Sequence, residues 1–134
     1  MNEANTEQKA PPSIGPGRLI NACGYSLAGL ASAWRTEGAF RQEVIAAVIL
    51  IPIACVVPVP MVERVLLIGS VLLVMVVELL NCSVEAAVDR ISLERHALSK
   101  RAKDTGSAAV LLSLVLAAMV WVLLLGPHLL RIFY

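Results

Sequence analysis

VELLNCSVEAAVD, residues Val77–Asp89, decides how the chain is read, because the run just upstream, Val65 to Val77, is almost wholly aliphatic. An ionisable side chain at bilayer depth costs about 2.5–3.5 kcal/mol on insertion scales, and such groups face a bundle interior or a wet cavity rather than acyl chains. On a helix, Glu78, Asn81, Cys82, Glu85 and Asp89 fall at i, i+3, i+4, i+7 and i+11 and so share one face. With about 1.5 Å of rise per residue, the two glutamates stand roughly 10 Å apart along the axis, one deeper and one nearer water. A polar stripe can serve merely to hydrogen-bond helices together. Two acids with an amide exceed what packing needs, and they offer the oxygen ligands and the base that metal-assisted chemistry uses.

Val65–Val88 is therefore a membrane span, with neighbours on either side. Upstream, Val44–Val62 carries no charge and is close to the roughly 20 residues a bilayer demands. Pro52 is expected to kink it, and Pro58 and Pro60 to mark its end, with Glu63 and Arg64 the only charges in a tight turn. Downstream, RISLERHALSKRAKD, Arg90 to Asp104, is a charged loop or helix extension, followed by a third span over residues 105–130. That span opens on Gly106, Ser107, Ala108 and Ala109, small enough for close helix contact, and holds Trp121 well inside. Arg131, Phe133 and Tyr134 give it an interfacial end. Ahead of the spans, Leu19, Ile20, Cys23, Leu27, Leu30 and Trp34 recur at helical spacing, which predicts an amphipathic helix over 18–36 lying in the membrane interface. EGAFRQE, Glu37 to Glu43, is then a hinge at the surface or part of a site. Residues 1–17, polar and then rich in proline and glycine, read as a disordered tail.

The composition agrees: 134 residues, 58% of them hydrophobic, describe one membrane domain over 18–134. A net charge of +1 and the lack of a long basic run exclude nucleic acid as a partner. Cys23, Cys55 and Cys82 have no metal-type spacing, and no disulfide is expected. The N-terminus has no basic region followed by an apolar core and cleavage site, so the first span is retained. The basic excess before span one and between spans two and three places the N-terminus and second loop in the cytoplasm, the C-terminus outside. The wetter end of the stripe, Glu85 and Asp89, then opens where nucleotides are found. No Walker loop, dinucleotide glycine motif or HExxH helix is present. His96 and His128 are poor metal-ligand candidates, and Ser83 and Ser92 lack partners for a nucleophile. Residues alone reach a small three-span membrane protein with oxygen-type ligands beside a cationic cytoplasmic loop.

GYSLAGLASAWRTEGAFRQE (Gly24 to Glu43), RVLLIGSVLLVMVVELLNCSVEAAVDRI (Arg64 to Ile91) and LSKRAKDTGSAAV (Leu98 to Val110) closely resemble the prokaryotic diacylglycerol kinase family. The likeness covers nearly all of Arg18 to Leu125. Its motifs are specific, since E-x-x-N-x-x-x-E-x-x-x-D on an apolar helix followed by R-A-K-D-x-G-S-A-A is uncommon in membranes. It implies an all-α integral membrane fold, three transmembrane helices and an N-terminal amphipathic surface helix in a homotrimeric bundle of the bacterial inner membrane. The implied activity is transfer of the ATP γ-phosphate to the hydroxyl of 1,2-diacylglycerol, giving phosphatidic acid. The sister activity on undecaprenol is the alternative, and a non-enzymatic oligomer or channel is a reading from another class.

The resemblance implies Glu78 as general base, and Glu37 and Glu85 as ligands of a divalent cation, Mg2+, that bridges the phosphates of the co-substrate ATP; Asn81, one helical turn from Glu78, can orient either the base or a ligand. Physics suits these roles: the base is the deeper, more desolvated glutamate, and the ligands lie nearer water. The ATP contacts implied are Arg18, Tyr25, Glu37, Glu85, Glu94, Arg95, His96, Lys103 and Asp104. The implied lipid contacts begin on the surface helix with Arg18, Ala22, Cys23, Gly24, Tyr25, Ser26 and Leu27, then Ala31, Ser32, Ala33 and Trp34. They continue with Ala39, Phe40, Arg41, Gln42 and Glu43, and with Arg64, Glu78, Ser107 and Trp121. Cys82, Ser83, Cys23 and Arg95 depart from the residues usual in the family, as does Val56 to Val59 with Pro58.

Overall fold

The computed structural model describes residues 15–91 and 96–133, leaving aside the side chains of residue 16 and of residues 129–133. Among the described residues there is no strand, and the helices are α1 (Pro16–Thr36), α2 (Gly38–Val56), α3 (Met61–Ile91) and α4 (Ala97–Phe133). Most of the expected tail, residues 1–14, lies outside the described residues. Its last residues, Pro16 and Gly17, are helical, because proline's fixed φ and missing N–H suit a first helical position.

Packing divides the chain after Ser32. The first unit holds most of α1, whose Leu19, Ile20, Tyr25 and Leu27 are exposed. The second unit, from Ala33 onward, contains the end of α1 and the three helices that are long and apolar enough to cross a membrane. Glu37 breaks α1 from α2 with an extended backbone. Its N–H donates to Ala33 O at 2.8 Å and its carbonyl accepts from Arg41 N–H at 3.3 Å, so it closes one helix and opens the next.

Helix α2 starts at Gly38 rather than Val44 and stops at Val56 rather than running on to Val62. The stop has a local cause. Pro58 and Pro60 lack N–H groups and push the residues before them out of the helical region; Val57 is extended, at φ −64 and ψ 137. In a continuing helix the carbonyl of Ala54 would accept from residue 58. Arg64 supplies the missing donor, its Nε reaching Ala54 O at 3.1 Å and its Nη2 reaching Val57 O at 3.1 Å. Val59 N–H adds a 2.9 Å bond to Val57 O, and Arg64 N–H to Pro60 O at 3.0 Å starts α3. Met61 and Val62 thus belong to α3.

Above this turn Ala54, Val59 and Leu67 form a buried cluster, with Val57, Ile68, Val120, Trp121, Leu124 and Leu125 packed on it. Trp121 Nε1 donates to Leu67 O at 3.2 Å, tying α4 to α3. Large apolar residues elsewhere on the spans, among them Leu111, Leu112, Val122 and Leu123, stay exposed, as a lipid-facing surface requires.

Helix length then positions the chemistry. At 19 residues α2 is about 28 Å long, close to the ~30 Å hydrocarbon core, whereas the 31 residues of α3 make about 46 Å and the 37 of α4 about 55 Å. The α2–α3 turn pins one end, so the excess of α3 emerges at the other, carrying Glu85 to Ile91. The charged start of α4, Ala97 to Asp104, lies at that same end, since α3 and α4 are antiparallel neighbours.

Candidate active site

Phe40, Ala47 and Ala54 are the buried residues of α2, seven apart on one face, and Leu67, Val71, Val74 and Glu78 continue a buried stripe on α3. These faces pack antiparallel. Eleven residues back along α2 from Ala54 is Glu43, and eleven forward along α3 from Leu67 is Glu78, so the register that builds the apolar cluster brings these acids to one level. Glu78 is only 4% exposed, and its carboxylate lies within electrostatic range of Glu85, Glu37 and Glu43.

Neighbouring side chains hold the group in place. The Cys82 thiol donates to Glu78 Oε1 at 3.9 Å, one helical turn on. Asn81 Nδ2 donates to Glu85 Oε1 at 3.1 Å, and Thr36 Oγ1 donates to Glu37 Oε1 at 3.1 Å. Glu43 Oε2 and Asn81 Oδ1 are buried acceptors with no hydrogen-bond partner among the described residues. Glu78 is buried while Glu37, Glu43 and Glu85 are half-exposed, and like charges gathered beside a buried carboxylate repel it unless a proton or a cation intervenes.

That arrangement fits a hard divalent cation. Among the described residues no three His, Cys, Asp or Glu groups converge tightly enough to hold a metal by themselves. Mg2+ does not need them, since it commonly takes one or two carboxylates, keeps waters and completes its shell with substrate phosphates. Glu37 at the α1–α2 junction and Glu85 on the emergent part of α3 are oxygen donors of that kind, each already oriented by a hydrogen bond.

On the flank of α3 facing α4, Asn81 meets Gly106. A groove of about 670 Å3 opens between these helices, walled by Val77, Leu80, Val84, Leu98, Thr105 and Ala109, with Arg101 also contributing. The charged start of α4 is internally engaged. Lys103 Nζ bonds Asp89 Oδ1 at 2.6 Å across the two helices, and Lys100 pairs with Asp104 one turn along α4. His96 Nδ1 accepts the N–H of Leu98 at 3.2 Å and so caps α4.

The residues singled out in the sequence thus fall into distinct places. Glu37, Glu78, Asn81 and Glu85 come together. Lys103, Asp104 and His96 sit at the same end, each already bonded. Arg18, Ala22, Cys23, Gly24, Tyr25, Ser26, Leu27, Ala31 and Ser32 belong to the first unit. In the second unit Ala33 and Phe40 are buried, whereas Trp34, Ala39, Arg41, Gln42 and Ser107 are exposed. Arg64 and Trp121 lie toward the opposite end of the bundle, bonded to backbone carbonyls. Glu94 and Arg95 lie outside the described residues. Sequence reasoning placed Glu43 with the lipid contacts and missed it as a member of the acidic group. The available signal was its place on the Phe40–Ala47–Ala54 face.

Residues 24–125 match the family model for prokaryotic diacylglycerol kinase. The diacylglycerol kinase of Escherichia coli (strain K12) is 54% identical over 111 residues, which cover 83% of this chain and 91% of that protein. That of Pseudomonas aeruginosa is 53% identical over 108 residues, 81% of this chain and 88% of the relative. That of Helicobacter pylori (strain J99) is 42% identical over 127 residues, 94% and 96% of the two chains. The chain is a member of the prokaryotic diacylglycerol kinase family.

Proposed function

We infer that the protein is a diacylglycerol kinase, moving the ATP γ-phosphate onto the free hydroxyl of a membrane diacylglycerol. The observation that carries this reading is the buried Glu78 carboxylate on an apolar helix, within electrostatic range of Glu37, Glu43 and Glu85. From Met61 to Glu78 is about 26 Å of helix, nearly the thickness of the hydrocarbon core, so the carboxylate lies at the depth of a lipid's polar end.

Glu78 accepts the proton of the lipid hydroxyl, the hydroxyl oxygen bonds to the γ-phosphorus, and ADP departs with the electrons of the broken P–O bond. Asn81 orients Glu85, and Glu37 and Glu85 are the carboxylates that would hold Mg2+ on the nucleotide. When bound, the cation offsets charge on the phosphates. Phosphoryl transfer asks for positioning and screening more than for covalent chemistry, so a site without a nucleophilic serine or cysteine suffices. Lys103 and Asp104 reach nucleotide by exchanging their present partners, Asp89 and Lys100, for it. The exposed apolar residues of α1 suit a helix that lies in the interface and contacts lipid. The N-terminus is cytoplasmic on the distribution of basic residues.

Incubating purified protein with labelled ATP, magnesium and either diacylglycerol or undecaprenol tests the acceptor. Labelled phosphatidic acid is expected. Label only in the undecaprenol reaction, or in neither, overturns the reading.

We propose further that the site is completed in a homotrimer. One chain covers its acidic group with few elements, and the apolar faces of α3 and α4 support packing against copies. If Glu78 of one chain works with Lys103 and Asp104 of another, mixing inactive Glu78→Gln chains with inactive Asp104→Asn chains restores some wholly intact sites. Partial activity that follows the mixing ratio is expected. A mixture that has exchanged subunits and stays inactive at every ratio refutes shared sites.

A further inference from the structure

Gly106 is a glycine whose missing side chain the packing uses. A Cβ there would stand 2.2 Å from Asn81 Oδ1 and 3.3 Å from Asn81 Cγ, while at Gly24, Gly29, Gly69 and Gly126 it would meet nothing within 4 Å. The direction of that Cβ is the direction of one glycine hydrogen, so a C–H of α4 faces the amide oxygen of α3, the weak contact that recurs where helices approach closely. The amide is oriented by its bond within α3: Asn81 Nδ2 donates to Glu85 Oε1 at 3.1 Å, which leaves the oxygen facing Gly106. That oxygen is buried with no conventional partner.

Through Asn81, this contact reaches the carboxylate that the proposed function assigns to the nucleotide's cation. We propose that Gly106 is a positioning residue of the phosphoryl-transfer site: by leaving room for the Asn81 amide between α3 and α4, it commits the amide N–H to Glu85 and so fixes that carboxylate. The inference rests on the reading of Glu85 as a ligand of the nucleotide-bound cation.

An alanine at 106 forces the amide oxygen from 2.2 Å to an ordinary contact near ~3.5 Å. The oxygen is at the free end of a side chain, so rotation of Asn81 relieves the clash with the helices still packed. The same rotation withdraws the N–H from Glu85. Gly106→Ala is therefore expected to assemble normally and to lose cation affinity, as happens when the partner that orients a metal ligand is removed.

The test is calorimetric titration of the intact protein in micelles with magnesium and a non-hydrolysable ATP analogue. The variants are Gly106→Ala, Asn81→Ala, their double mutant and Glu85→Gln, with unfolding midpoints measured alongside. Gly106→Ala should weaken magnesium-dependent binding by about tenfold with an unchanged midpoint, and the double mutant should bind as Asn81→Ala does. Unchanged binding in Gly106→Ala beside weakened binding in Glu85→Gln overturns the role of Gly106 alone. Unchanged binding in Glu85→Gln overturns the reading of Glu85 and this inference with it. A double mutant weaker than Asn81→Ala shows that Gly106 acts through packing, which also overturns the proposal. If Gly106→Ala does not assemble, a double mutant that assembles and binds as Asn81→Ala sustains the proposal, and one that fails to assemble refutes it.

Discussion

Replacing Arg64 with methionine keeps most of the side chain's apolar length and removes both guanidinium bonds at the end of α2. The two lost bonds are unequal. Val57 O keeps the N–H of Val59 at 2.9 Å, whereas Ala54, fully buried, has lost its helical donor to Pro58 and depends on Arg64 Nε. A buried carbonyl left unsatisfied costs about 1–3 kcal/mol, and the second bond adds little, so a loss of about 2 kcal/mol is expected. Unfolding of the protein in mixed micelles by increasing detergent denaturant measures it. Pro58→Ala returns an N–H to the position that Ala54 O lacks. In the Arg64→Met background it should therefore recover about 1 kcal/mol more than it changes in the wild type, the size of coupling expected between contacting residues. If Arg64→Met lies within about 0.5 kcal/mol of wild type, or Pro58→Ala acts equally in both backgrounds, the capping argument is wrong. Lipid KM serves as a second readout. It should be unaltered, because Arg64 lies far along α3 from Glu78; a raised lipid KM at unchanged stability would instead support a lipid contact.

Glu78→Gln should lower kcat by about 10²–10⁴ while magnesium–ATP binding stays near wild type; an affinity loss as large as the rate loss would contradict its role as base. Glu37→Gln and Glu85→Gln should each raise the magnesium concentration for half-maximal activity, and magnesium titrations indistinguishable from wild type would remove them as ligands. Trp121→Phe deletes the indole donor to Leu67 O, which keeps the Ser70 hydroxyl at 2.9 Å. About 1 kcal/mol of stability should be lost, read from the same unfolding curve, and no loss would mean that the bond is idle.

The helices were legible because the sequence carries them redundantly. Val65 to Val77 is too apolar for water, and the spacing from Glu78 to Asp89 keeps every polar group on one helical face. Helix ends were less legible. Pro58 and Pro60 mark the end of span one in the sequence, but hydropathy carries its apolar run on to Val62, whereas the helix ends at Val56, with Val57 N–H donating back to Ile53 O at 3.1 Å. A hydropathy pattern counts side chains and does not fix the last helical residue. The same limit hid the work of Arg64, whose partners are carbonyls of another helix. Gly106 was recognisable as a small residue suited to close contact, but its partner Asn81 follows only from the α3–α4 register. Glu43 reads from the sequence as a lipid contact, and only the α2–α3 register brings it level with Glu78.

The axial spacing on α3 links this geometry to a reaction between partners from different phases. Diacylglycerol presents its hydroxyl from within the membrane, and ATP arrives from water, so a single site must reach both without drawing charged phosphate into hydrocarbon or the acyl chains out of it. Glu78 and Glu85, seven residues apart, lie about 10 Å from each other along the axis. That distance exceeds the roughly 5–7 Å of polar interface on one side of a bilayer, and it sets the proposed base at the lipid's depth and the proposed cation ligand at the nucleotide's. A shorter α3 would end before Glu85 and remove the carboxylate proposed to hold the cation. A deeper Glu78 would bring the acid repulsion into the hydrocarbon, where no water could relieve it. On the proposed reading the overrun of α3 lets one helix serve both substrates, and the antiparallel start of α4 lies at that same end, its Lys103 bonded to Asp89 at 2.6 Å.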